Sequence, residues 1–261
     1  IGDQTFTASS VTLQGDSVLN STSGNVLFSG PVNGGQNLVV ETAAGEVTFA
    51  QGAGLVTSLA SLTTNAARIA ADVKTVGTQN YGSLVLLGGD RTFTGTVVTF
   101  GGDVDAGNAA ITVSGSTAID ESITNATAIT VTGATDLGGN VTTSGNQSYQ
   151  STVNLTGASV LTADKATLGA ITGNNAALEI NAAAVLVGGV NLASLSVSGT
   201  TSLSGDIESN GNQSYTGQVT STGGDRNLNG STVSLLGGYV STDNNLAIGG
   251  NLAIGGAVTS V

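Results

Sequence analysis

A short phrase of glycine, glutamine and an aromatic ring recurs at long intervals in this chain of 261 residues, and no other feature limits its fold so strongly. The phrase reads GDQTF from Gly2, GTQNY from Gly77, GNQSY from Gly145 and GNQSY again from Gly211, at intervals that are similar without being equal. Self-similarity of this kind marks a repeat architecture, in which each unit buries its apolar face by stacking on its neighbours. The flanks repeat as well. LASLTTNAARIAADVKTV, ATAITVTGATDLGGNVTTS and LASLSVSGTTSLSGDIESN precede the second, third and fourth motifs and align with one gap. The expected organisation is a single continuous body of repeats 2–76, 77–144, 145–210 and 211–261, the last incomplete.

Within a repeat, apolar and small polar residues alternate over short runs such as Thr130-Val131-Thr132, Leu195-Ser196-Val197 and Val233-Ser234-Leu235. That period of two is the signature of short strands with one buried face. Clusters of Gly and Asn close the runs, and both residues tolerate the left-handed backbone of tight corners. The fold class predicted is all-β, a right-handed parallel β-helix (β-solenoid) of roughly twelve coils of about 22 residues, stacked about 4.8 Å apart. Each repeat then holds three coils. In that reading Gly2, Gly77, Gly145 and Gly211 turn corners, while Gln4, Gln79, Gln147 and Gln213 project amides that pair with neighbouring coils. Phe6, Tyr81, Tyr149 and Tyr215 fill a wide place at one shared azimuth. A string of immunoglobulin-like sandwiches needs bulkier cores than five Phe, four Tyr and no Trp provide. A left-handed hexapeptide helix needs an aliphatic residue every six positions, which is not sustained.

Composition narrows the function. Val, Ile, Leu and Thr recur throughout, unlike a disordered tract, whereas abundant Gly, Thr, Asn and Ser disfavour helix. Only 8% of residues are charged, and 17 acids against 5 bases give a net charge of −12. Five scattered cations make no basic stripe for phosphates, so neither nucleic acid nor an anionic membrane surface is an expected partner. No apolar run reaches the roughly 20 residues of a membrane span. The absence of cysteine removes disulfides, thiolate chemistry and cysteine-type zinc sites.

The segment GNQSYTGQVTSTGGDRNLNGSTVSLLGG, Gly211 to Gly238, resembles the repeats of bacterial filamentous-haemagglutinin-type exoproteins and autotransporter passengers, and the likeness extends over nearly the whole chain. The resemblance implies export across an outer membrane, a secreted or cell-surface location, and a role as adhesin or extracellular scaffold. The chain has no RGD tripeptide.

Candidate chemistry is sparse. Asp103 with Asp105, Asp120 with Glu121, and Asp206 with Glu208 are the carboxylate pairs that could act as acid and base on a glycan. With no histidine and no basic cluster beside them, they read better as solvated corner charges. Asp90-Arg91 and Asp225-Arg226 recur in GGDRT and GGDRN, where an Asp capping the turn and an Arg spread over the neighbouring coil are expected. GGDVDAGN, Gly101 to Asn108, is a single partial likeness to calcium β-roll repeats, and no phosphate loop occurs. Sequons at Asn20, Asn125, Asn146, Asn154, Asn212 and Asn229 are expected by chance in so Asn- and Thr-rich a chain. An ice-binding Thr array breaks where Thr142-Thr143 aligns with Lys74-Thr75 and Glu208-Ser209. No catalytic, cofactor or metal residue is expected. The leading expectation is an extracellular β-solenoid serving as stalk, adhesin shaft or self-assembling filament. A carbohydrate-active β-helix enzyme and a glycan-binding module are the alternatives. With Ile1 first and Val261 inside a repeat, the coils are expected either to continue in a longer polypeptide or to stack with other copies.

Overall fold

The computed structural model describes residues 2–241 and 244–260, and among them there is no helix. Parallel strands stack as a β-solenoid of about 13 turns, about 19 residues apart. The chain forms two compact units, Ile1–Gly133 and Ala134–Val261, so their boundary falls inside the second sequence repeat.

In the first unit three strand positions make up a turn. One face stacks Gln4–Phe6, Val26–Phe28, Val47–Phe49, Ala67–Ile69 and Val85–Leu87 in parallel register. A second runs through Val11, Val32, Ala53, Val73 and Phe93. The third runs through Ser17, Leu38, Leu62, Gln79 and Val98. In the three-residue strands the first and third residues point inward and the middle one outward, as in Val26-Leu27-Phe28. Turns differ in length, from a short one that places Gln79 over Leu62 to a long one that places Ser61 over Asn37. The second unit repeats the plan with faces headed by Thr135, Val141 and Gln147.

The turn is therefore shorter than the sequence repeat suggests, and the motifs do not share an azimuth. Gln4 stacks under Val26, Val47 and Ala67, whereas Gln79 stands on Leu62 and Leu38, one face away. Gln147 leads the column Ala166, Ala184, Thr201 and Val219, whereas Gln213 stands on Leu195 and Leu178. Within each unit the later motif lies eleven strand positions along the chain, which is three and two-thirds turns at three positions per turn. Three equal coils per repeat would require that equal sequence mean equal azimuth. In the structure, three strand positions and the corners between them set the turn, and the repeat is not a whole number of turns.

Val, Leu, Ile and Ala fill the interior at essentially zero exposure, each large aliphatic side chain contributing roughly 1.5–3 kcal/mol. All five phenylalanines lie in the first unit. Phe6, Phe28 and Phe49 stack face to face at 5.0 and 5.2 Å, and Phe93 and Phe100 meet Tyr81 at 5.6 and 5.7 Å. Corners tolerate only the smallest residue where turns touch. Gly115 has φ +144°, and a Cβ there would lie 1.9 Å from the carbonyl oxygen of Gly95, one turn earlier.

Candidate functional site

The repeated motif is an internal structure at three of its four occurrences. Gln79, Gln147 and Gln213 are fully buried, and so are Tyr81, Tyr149 and Tyr215 two residues later on the same side of the strand. Each tyrosine hydroxyl donates to the glutamine Oε1 two residues before it, at 2.9, 3.2 and 2.9 Å. The glutamine Nε2 then spans a corner. Gln79 donates to Thr94 O at 2.8 Å in the following turn and to Val73 O at 3.3 Å in its own. Gln147 donates to Thr162 O at 3.0 Å and Val141 O at 2.9 Å, and Gln213 to Asn229 O at 2.7 Å and Ile207 O at 3.2 Å. Carbonyls can only accept, so these partners fix the orientation of each amide.

A fourth residue completes the arrangement. Thr75, Thr143 and Ser209, two places before the glycine, turn their hydroxyls inward and donate to Gly77 O, Gly145 O and Gly211 O at 2.9, 2.8 and 3.0 Å. The full motif is thus Ser or Thr, then Gly, Gln and Tyr at alternate positions. The hydroxyl was visible in TVGTQNY, TSGNQSY and SNGNQSY, but viewed as part of an outward Thr array its inward role is lost. Glycine is required because a Cβ on Gly77 or Gly211 would approach Ala60 O at 2.8 Å or Ala193 O at 2.5 Å. Burial raises the phenol pKa of all three tyrosines, so each stays a neutral donor at ordinary pH. The first copy is incomplete. Gln4 is half-buried and donates to Asn20 O at 3.1 Å, and Phe6 has no hydroxyl to offer it.

The acidic candidates serve corners. Asp103 and Asp105 flank buried Val104 and share an outward face. Asp103 accepts the backbone N–H of Ser122 at 3.1 Å, and Asp105 accepts from Gly107 N–H and Asn125 Nδ2, both at 3.0 Å. Asp206 takes both the N–H and the Nδ2 of Asn227 at 2.9 and 3.1 Å, while Glu208 is exposed beyond buried Ile207. Asp16 with Asn37 and Asp225 with Asn245 form the same two-point clamp one turn apart. The bonds at Asp16, Asp105, Asp206 and Asp225 lower the pKa values of those four carboxyls. The Asn125 and Asn227 side chains are the larger cause at Asp105 and Asp206, and the Asn37 and Asn245 backbone N–H groups at Asp16 and Asp225. Asp120 and Glu121 are exposed at a corner. Among the described residues no group of three or more acids could hold a metal ion.

The two GGDR segments share a forward clamp but differ in what their arginines hold. Asp90 and Asp225 accept N–H groups from Ala110 and Asn245, each at 2.8 Å in the next turn. Arg91 reaches back to Ile69 O at 3.1 Å and to Ala70 O. Arg226 instead folds over its own corner onto Asp225 O and Thr222 O. The one salt bridge found among the described residues joins exposed Arg68 to Glu46 at 2.9 Å. Comparisons with protein-family models, with curated proteins and with solved structures return no match.

Proposed function

We propose that this chain is an extracellular structural β-solenoid, the shaft of a stalk or adhesin or the substance of a filament on a bacterial surface. One observation carries the reading: the side-chain constellation that recurs with the sequence motif is buried and joins turn to turn, instead of facing outward toward a substrate. Asp206, Asp225 and Arg91 on the surface likewise hold successive turns together. Low charge density allows turns to lie close, while a net charge of −12 keeps separate molecules apart until a specific contact forms. The partners of such a shaft are further turns, from the same polypeptide or from other copies, with host or matrix glycans as its adhesive targets.

Electron microscopy of the purified chain over a concentration series, with a glycan array and a panel of polysaccharide substrates, tests the proposal. Filaments, or inert particles with at most glycan affinity, support it. Turnover of a polysaccharide that disappears in Asp103→Asn/Asp105→Asn would overturn it in favour of an enzyme.

A further inference from the structure

An apolar solenoid interior has a register problem. Sliding one strand by two residues along its neighbour returns every inward side chain to the inside, so alternation alone does not resist the slip. Corner length does not resist it either, because the fold already accommodates turns as different as Leu62 to Gln79 and Asn37 to Ser61. Inward residues are mostly Val, Leu, Ile and Ala, which exchange places readily. The Gln–Tyr pairs are different. Their acceptors lie at set positions, six residues before the glutamine and fifteen or sixteen after it. Moved by two residues, the amide would leave those carbonyls for an interior lined mostly by Val, Leu, Ile and Ala, where a lost hydrogen bond is costly.

We propose that Gln79, Gln147 and Gln213, each held by its tyrosine and its Ser or Thr, are register locks that select one strand pairing among several that are nearly equal in apolar burial. This is the use for which buried polar groups are best attested. The lock follows from internal geometry and holds whatever the outer surface of the solenoid is used for.

The absence of cysteine allows a direct test by disulfide trapping in the full chain. Ser214 lies opposite Ser234, with both side chains outward and outside the lock. A Ser214→Cys/Ser234→Cys pair meets the distance for a disulfide, whereas Ser214→Cys/Leu236→Cys spans about 8 Å and is bridged only after a two-residue slip. The native pair should cross-link and the slipped pair should stay at background. Adding Gln213→Leu should raise slipped-pair cross-linking roughly 5- to 150-fold, the factor that one unpaired buried polar group represents. Gln213→Met serves as a second variant with similar bulk. The unaltered chain supplies a comparison that needs no Gln substitution. At the incomplete lock, Thr5→Cys/Ser29→Cys should trap a larger slipped fraction, relative to its native pair Thr5→Cys/Leu27→Cys, than Ser214→Cys/Leu236→Cys does relative to its own. A folded Gln213 variant that traps only the native pair, or equal slipped fractions at the two sites of the unaltered chain, would overturn the proposal.

Discussion

Replacing Tyr215 by Phe removes one oxygen atom from a fully buried position and leaves the ring in place. That oxygen donates to Gln213 Oε1 at 2.9 Å, and among the described residues no other side chain is seen to reach the amide oxygen. The substitution therefore strands a buried acceptor, a loss of about 1–3 kcal/mol, offset little by the more apolar ring. Repeat proteins do not unfold as one unit, so native-state hydrogen exchange is the suitable assay. Amides of Ile207–Ser209, Gln213–Tyr215 and the facing part of Arg226–Leu235 should exchange about 5- to 150-fold faster. Those around Gln79 should not change. Gln213→Leu/Tyr215→Phe should cost less than the sum of the single changes, by about 0.5–3 kcal/mol of coupling. Additive effects, or Tyr215→Phe exchanging like the parent, would show that the phenol–amide bond holds nothing in place.

Three further outcomes follow from particular contacts. Asp16, Asp105, Asp206 and Asp225 have folded pKa values below their ordinary value near 3.8, so their contribution is present above about pH 4 and is lost as pH falls further. Melting followed by circular dichroism should be flat from pH 7 to 5 and drop below pH 4, with a smaller drop in Asp206→Asn. Gly115→Ala should destabilise by more than about 2 kcal/mol in a denaturant titration, because its Cβ meets a carbonyl at 1.9 Å, whereas Gly15→Ala, with nothing within 4 Å, should stay within about 0.5 kcal/mol. Arg68→Ala, which removes the exposed pair with Glu46, should shift stability by less than about 1 kcal/mol, and less still in high salt.

Much of the fold could be read from the chain because its causes are local. Alternation in Leu195-Ser196-Val197 follows from the two-residue period of a strand, and the Gly and Asn clusters mark the places where the backbone must turn. The four motifs were equally visible. The length of a turn was not, since it depends on how corners such as 50–60 and 75–79 are closed by groups from other turns. Without it, Asp206 and Asn227 are simply distant polar residues, and only the stacking of one turn on the next makes them a clamp. The inward direction of Thr75, Thr143 and Ser209 was hidden for the same reason. Motif spacing suggests three equal coils, while the stacking fits eleven strand positions into the same interval.

The claim that short turns carry the motif from face to face is tested most directly by a dipolar spin-label distance inside the second unit. Ser148, Thr167, Val185, Ser202 and Thr220 follow one another in a single outward column. Labels at Ser148→Cys and Thr220→Cys should lie four steps apart, about 19 Å between backbones at ~4.8 Å per step, with a narrow distribution. Labels at Ser148→Cys and Ser214→Cys, the equivalent places in two motifs, should not give a three-step distance. A Ser148–Ser214 separation of about 14 Å, with Thr220 displaced from the column, would mean that the motifs share one azimuth after all and would contradict the account.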